Sequence, residues 1–359
     1  MSLKPFKFQE LCRKVKFEIN FKLMDVIVKG CFDKFKQSSK NSFSDRQKRQ
    51  EIIEYFHGII KDCSQGRSSE KTAKEAVTCI LRYHDIMRES NSSVCLMGKF
   101  HNVLYIALKL AFDWQIKDSG TIGTLIEQIF QCEKTFERLF LGAILGIRAP
   151  YFVAGWKSDF KDPEENIRAV VFFLDHACTA GLDFRIDKGA LMRMIDVPLE
   201  SCGFTTPLMM SVQLGLADKV HIFLRFGALL RAGEKDRENV SVVQNILLKL
   251  SEFDHKYPFN LIAIFQLILR VIPSLTQHLN GMLSYLGDVQ QKTLLMKYNT
   301  LIEDGIIPIT RSGIIPPELK HLCRCEIRKN LWYNHQLPLG IQELQIPEEM
   351  KRYIDIMYD

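Results

Sequence analysis

No Cys-x-x-Cys pair occurs among the ten cysteines, which excludes a zinc RING of the chain's own. A Gly-rich phosphate loop followed by Lys-Ser/Thr is missing too, as are a Gly-x-Ser-x-Gly elbow and a His-Glu-x-x-His pair. The nine histidines are dispersed, and His221, between Val220 and Ile222, reads as a helix-flank residue. Cys323 and Cys325 are two apart on a helical pattern, so their side chains diverge by roughly 200° and cannot chelate one ion. His176 with Cys178, and His321 with Cys323, fail on the same ground, because i and i+2 do not face each other. No catalytic residue, no metal ligand and no cofactor are therefore expected.

Long apolar runs are absent as well. The greasiest stretch, Phe259 to Leu275, is interrupted by Gln266, Arg270 and Pro273, so it reads as a buried helix and no membrane partner is expected. The first residues, Met1-Ser-Leu-Lys-Pro-Phe-Lys, lack the charged-then-apolar order of an export signal. Reduced thiols and a cytoplasmic or nuclear location follow as the expectation.

What is present reads as a globular chain of 359 residues, 47% hydrophobic and 25% charged. Its net charge is +6, and residues 1–50 hold thirteen Lys/Arg against five Asp/Glu, a surplus of eight. There Lys4, Lys7, Arg13, Lys14, Lys16 and Lys22 alternate with Phe6, Phe8, Leu11, Val15, Phe17 and Phe21. Two readings fit that pattern: a patch for an anion, a nucleic acid or a membrane surface, and a helical domain with solvated lysines outside and phenylalanines inside. The second is the expectation, since no nucleic-acid signature accompanies it.

Helical periodicity dominates, with little convincing strand. Residues 1–95 supply about four helical patterns, among them Leu23 to Phe35 and Ala73 to Met87, separated by polar breaks at Gln37 to Ser44 and Gln65 to Glu70. Beyond residue 96 a repeat emerges. Its clearest copy spans residues 203–228. Thr206 caps a helix opening on Pro207, Gly215 ends it, Val220, Phe223 and Leu224 form the next helix's buried stripe, and Gly227 ends that one. This copy resembles an ankyrin repeat. Asn102 to Ala111 with Thr121 to Cys132, Phe136 to Ile147 with Asn166 to Ala177, and Val240 to Leu250 with Phe259 to Ile272 are degenerate relatives. Second helices starting near 121, 166, 218 and 259 lie wider apart than the usual 33 residues, through inserted loops such as Ala149 to Pro163.

The tail carries the most specific signal. Pro316-Pro317 opens a helix on which Leu319, Cys323, Ile327 and Leu331 recur every fourth residue with Leu322 beside them, while Lys320, Arg324, Arg328 and Lys329 take other flanks. After Leu337-Pro338 come Leu344-Gln345-Ile346-Pro347 and a second helix with Met350, Tyr353 and Ile354 on one face. This tail resembles a SOCS box, and with the repeats it resembles the ankyrin-repeat and SOCS-box family.

The resemblance implies an all-α chain: a helical region at 1–95, degenerate ankyrin-like repeats at 96–300 stacked as a short solenoid, and a three-helix SOCS box at 316–359. It implies a non-catalytic substrate adaptor of a ubiquitin ligase. Leu319, Leu322, Cys323, Ile327 and Leu331 would bind elongin C, and with it elongin B. Leu344, Ile346, Pro347, Met350, Tyr353 and Ile354 would face cullin-5 with its RING partner. The repeats would hold an unknown protein target. One departure is Gln345, where the family usually has proline, whose fixed φ lowers the cost of ordering the turn. The competing reading is a scaffold whose tail helices mainly cap the repeat array, with Leu319 packed inside.

Overall fold

The computed structural model describes residues 21–36, 42–64, 68–95, 101–146, 158–186, 189–230, 241–280 and 298–359. The basic stretch at 1–20, the Lys22 side chain, residues 37–41 of the first polar break, Val240 and most of the 149–163 insertion lie outside the described residues. The chain forms two compact units, Met1–Ala180 and Gly181–Asp359.

The first unit contains α1 (Phe21–Lys36), α2 (Ser42–Cys63) and α3 (Ser69–Glu89), followed by α4 (His101–Asp113) with α5 (Ser119–Glu133) and α6 (Glu137–Leu145) with α7 (Pro163–Thr179). Helix α1 buries Met24, Ile27, Val28 and Phe32, the i, i+3, i+4, i+8 stripe expected of an amphipathic helix, and packs on α3. Helix α3 in turn packs on α4, so the N-terminal helices and the first repeat-like pair share one interior. Aspartates start both second helices. Asp118 accepts from the Thr121 N–H at 2.9 Å, and Asp162, just before Pro163, accepts from the Glu165 N–H at 2.7 Å.

The second unit opens on an antiparallel hairpin, β1 (Asp183–Arg185) and β2 (Leu191–Arg193), with Phe184 opposite Met192. Three-residue strands are too short for a period-2 pattern to register, which is why the sequence does not announce them. Then come α8 (Pro207–Gln213) with α9 (Ala217–Arg225), and α10 (Val242–Ser251) with α11 (Phe259–Leu269). Each pair packs internally, α8 packs on α10 and α9 on α11, which is the repeat-on-repeat stacking of an ankyrin-like array.

The strongest repeat folds as its residues dictate. Thr206 Oγ1 accepts from the Met209 N–H at 3.2 Å, and Gly215 and Gly227 adopt positive φ at +69° and +77°. Val220, Phe223 and Leu224 are buried. All four second helices begin within three residues of their expected positions, at Ser119, Pro163, Ala217 and Phe259. Helix α11 is shorter than the apolar run that suggested it. Its Leu261, Ile264, Phe265, Ile268 and Leu269 are buried, but Phe259 is 81% exposed. No helix among the described residues is long and apolar enough to cross a membrane.

Among the described residues, three short helices, α12 (Leu275–Asn280), α13 (Asn299–Glu303) and α14 (Ile309–Ser312), precede the tail, which forms α15 (Leu319–Tyr333), α16 (Gly340–Glu343) and α17 (Glu348–Ile354). The two proline starts differ in detail from the sequence expectation. Helix α15 begins at Leu319 with Glu318 as its N-cap, and Pro347 is the N-cap of α17 rather than its first helical residue. In both, the capping residue keeps an extended ψ (140° and 148°) while its carbonyl accepts the first helical bonds.

Candidate protein-docking surface

The pattern of α15 leaves open whether the chain's own body or a partner covers its apolar flank, and puts its cations on the other flanks. Lys320 and Lys329 are exposed, but the body covers two of the cations in place of the apolar flank, an inverted arrangement. His321, Arg324, Arg328 and Leu331 are buried, whereas Leu319 is 76% exposed, Cys323 is exposed, and Leu322 and Ile327 are half-buried.

Donor chemistry explains the inversion. Helix ends leave backbone carbonyls without helical partners, and a guanidinium brings five N–H donors to such a place. Arg328 Nη2 donates to the carbonyls of Leu224 (2.5 Å) and Arg225 (3.4 Å) at the end of α9, and its Nη1 donates to the Ile354 carbonyl (3.0 Å) at the end of α17. A cation at two helix C-termini is also favoured by both dipoles. Burial pushes the Arg328 pKa down to about 10, so the side chain stays charged at neutral pH.

His321 follows the same logic. Its Nε2 sits 2.8 Å from the Ile272 carbonyl, which can only accept, so Nε2 carries the proton and Nδ1 is left to accept from Arg324 Nη2 at 2.9 Å. Arg324 also donates to Asp359 at 2.8 Å and lies over the Tyr353 ring at 4.2 Å. Arg225 clasps the buried Asp355 through both carboxylate oxygens, with a closest approach of 2.6 Å. The rigid mount of α15 is therefore polar, and its free face is apolar.

Behind that face the tail has its own core. Leu331, Leu337, Ile341, Tyr353 and Ile354 are buried together, with Ile327, Trp332, Leu344, Ile346, Met350 and Tyr358 half-buried around them. Trp332 and Leu337 also press on the end of α9, where a Cβ on Gly227 would lie 2.5 Å from Trp332 Cδ1.

The residues singled out from the sequence thus divide. Leu319, Leu322, Cys323 and Ile327 share an accessible face, while Leu331 supports it from inside. Leu344, Ile346, Pro347 and Met350 reach the surface at the second turn; Tyr353 and Ile354 do not, and they hold that turn in place. Helical spacing put Leu331, Tyr353 and Ile354 on apolar stripes correctly, but spacing cannot tell a stripe that seals the domain from one that meets a partner.

The turn itself is ordered by its backbone. The Ile346 N–H bonds the Leu344 carbonyl at 2.9 Å across Gln345, whose own amide Nε2 donates to the Glu343 carbonyl at 3.3 Å.

A histidine–thiol pair that the i, i+2 argument did not cover does occur here: Cys325 Sγ lies 3.7 Å from His321 Nε2. It lacks nucleophile chemistry. That nitrogen is committed to the Ile272 carbonyl, and burial pushes the Cys325 pKa up to about 11.

A SOCS box family model matches residues 315–355. Ankyrin repeat and SOCS box protein 17 of Canis lupus familiaris is 28% identical over 160 residues, 42% of this chain and 49% of that relative. The chain therefore spans about half the length of the curated relative it matches. No solved structure matches it. The match over the tail and the named relative together bear out the resemblance to the ankyrin-repeat and SOCS-box family.

Proposed function

We propose that this chain, which carries a SOCS box on ankyrin-like helix pairs, is a non-catalytic substrate adaptor of an elongin B/C–cullin-5 RING ubiquitin ligase. Leu319 enters an apolar pocket on elongin C, Cys323 makes the close-packed second contact, and Leu322 and Ile327 flank them. The Leu344–Pro347 turn and Met350 meet the cullin, and the repeats hold the protein to be ubiquitinated.

One observation carries the reading: a large aliphatic side chain, Leu319, stands about three-quarters exposed on a helix held by buried and part-buried charge-assisted hydrogen bonds. Pre-ordering of that kind lowers the entropic cost of docking. The capping-scaffold reading requires Leu319 to be packed inside, and its exposure counts against that. The tail does cap the end of α9, but through Arg328, Trp332 and Leu337, so capping leaves the apolar face free for a partner.

Co-purification tests the proposal. The full chain co-expressed with elongins B and C should capture both, and Leu319→Ala should weaken capture by about 2–4 kcal/mol, roughly 30-fold to 1,000-fold. Retention of capture by Leu319→Ala, or no capture by the parent chain, would sink it.

A further inference from the structure

His84 lies in the last turns of α3, Cys132 near the end of α5, and Cys95 in the segment after α3. Their sequence separations match no ligand motif, yet the fold brings them together. His84 Nε2 is 3.5 Å from Cys95 Sγ and 3.5 Å from Cys132 Sγ, and all three atoms lie within 4.8 Å of one another. Both cysteines are free thiols and half-buried, and His84 is fully buried.

The imidazole is oriented by a chain of hydrogen bonds. The Asp85 carboxylate can only accept, so it takes the Gln128 amide Nε2–H at 2.8 Å. This turns Gln128 Oε1 toward His84 Nδ1, 3.0 Å away, which must then carry the ring proton. His84 Nε2 is left with one in-plane lone pair, aimed at two sulfurs. A ligating histidine is usually held this way, with its far nitrogen donating to an outer oxygen.

The spacing also suits a metal. With Zn–S near about 2.3 Å and Zn–N near about 2.0–2.1 Å at a tetrahedral angle, nitrogen and sulfur fall about 3.5 Å apart. A single lone pair satisfies one S–H well, whereas here two sulfurs stand equidistant from it.

We propose that His84, Cys95 and Cys132 bind a structural zinc ion that clamps α3 to α5. Two thiolates and an imidazole select zinc over magnesium or calcium. Binding releases the two thiol protons to solvent as the Zn–S bonds form. The fourth position falls to water. The ion would join the N-terminal helices to the first repeat-like pair.

Metal analysis of the reduced full chain, purified from zinc-containing medium, tests this. About one zinc per chain is expected. Cys132→Ser should lose it, and Cys202→Ser, a half-buried cysteine in the second unit, should keep it. Cobalt added to the metal-free chain should give sulfur-to-metal charge-transfer absorption that Cys132→Ser lacks. If Cys132→Ser does not fold, thiol labelling of the parent chain decides instead: zinc should shield Cys95 and Cys132 from alkylation and leave Cys202 reactive. Substoichiometric zinc in the parent chain, with alkylation of Cys95 and Cys132 unchanged by added zinc, overturns the assignment.

Discussion

Arg328 Nη2 lies 2.5 Å from the Leu224 carbonyl oxygen, so the C-terminal helix is bolted to the end of the best-formed repeat by its cation. Leu319, nine residues earlier on the same helix, consequently points away from the body. The two side chains make opposite predictions. Arg328→Ala leaves the Leu224 and Ile354 carbonyls without this donor and should lower the stability of the second unit by about 2–4 kcal/mol. Leu319→Ala should change stability by less than about 0.5 kcal/mol. Urea unfolding of the two variants measures both, and equal losses would contradict the inward-cation arrangement.

At the second turn, Gln345 sits where proline fits. Leu344 already has the extended conformation that a residue before proline prefers (φ −65°, ψ 135°), and Gln345 is not among the residues with positive φ. Gln345→Pro should therefore raise thermal stability slightly, by about 0.4–1 kcal/mol, through the unfolded chain. Cullin capture should tighten only modestly, because the Leu344–Ile346 bond orders the turn beforehand. A lower melting temperature would show that the turn rejects proline.

Asp196 is a carboxylic acid in an apolar interior. Burial pushes its pKa up to about 7 from 3.8, against the Leu229 N–H donating at 2.8 Å and the Arg193 charge. Between these values the folded chain holds a proton that the unfolded chain has released, so stability from this group falls as pH rises from 3.8 to about 7. Asp196→Asn keeps an acceptor for Leu229 and cannot ionise. It should be more stable than the parent at pH about 8, by on the order of 1–3 kcal/mol, and nearly equal at pH about 3.5, below the unfolded value. Melting curves at the two pH values decide; a constant offset would refute it.

His321 works in the opposite direction. Burial and the nearby Arg311 and Arg324 charges hold its pKa below the ordinary 6.5, despite its bond to Ile272. The unfolded chain then takes up a proton that the folded chain refuses. Stability is complete above pH 6.5 and lost as pH falls below it. His321→Gln can donate to Ile272 and accept from Arg324 without titrating, so its melting temperature should fall less between pH about 7 and about 5. Other downshifted histidines, His176, His221 and His335, will keep a residual slope. If the variant and the parent share one slope, His321 titrates normally.

Local pattern was enough to find the helix pairs. Thr206, Pro207, Gly215 and Gly227 mark helix starts and stops whatever surrounds them, because caps and positive φ act within a turn or two of chain. The same reasoning located Leu319, Cys323 and Ile327 on one side of one helix, and placed Met350, Tyr353 and Ile354 on one side of another. The β1–β2 hairpin escaped because three residues hold no readable period.

Direction was another matter. Helical periodicity says which residues share a face and nothing about whether water, the body or a partner covers it. That Arg328 faces inward follows from carbonyls at Leu224, Arg225 and Ile354, brought to one point only by folding. The convergence of His84, Cys95 and Cys132 is of the same kind. Helix pairs were written into short stretches of chain, while the outward leucine and the zinc ligands depend on long-range packing, which no window of neighbouring residues contains.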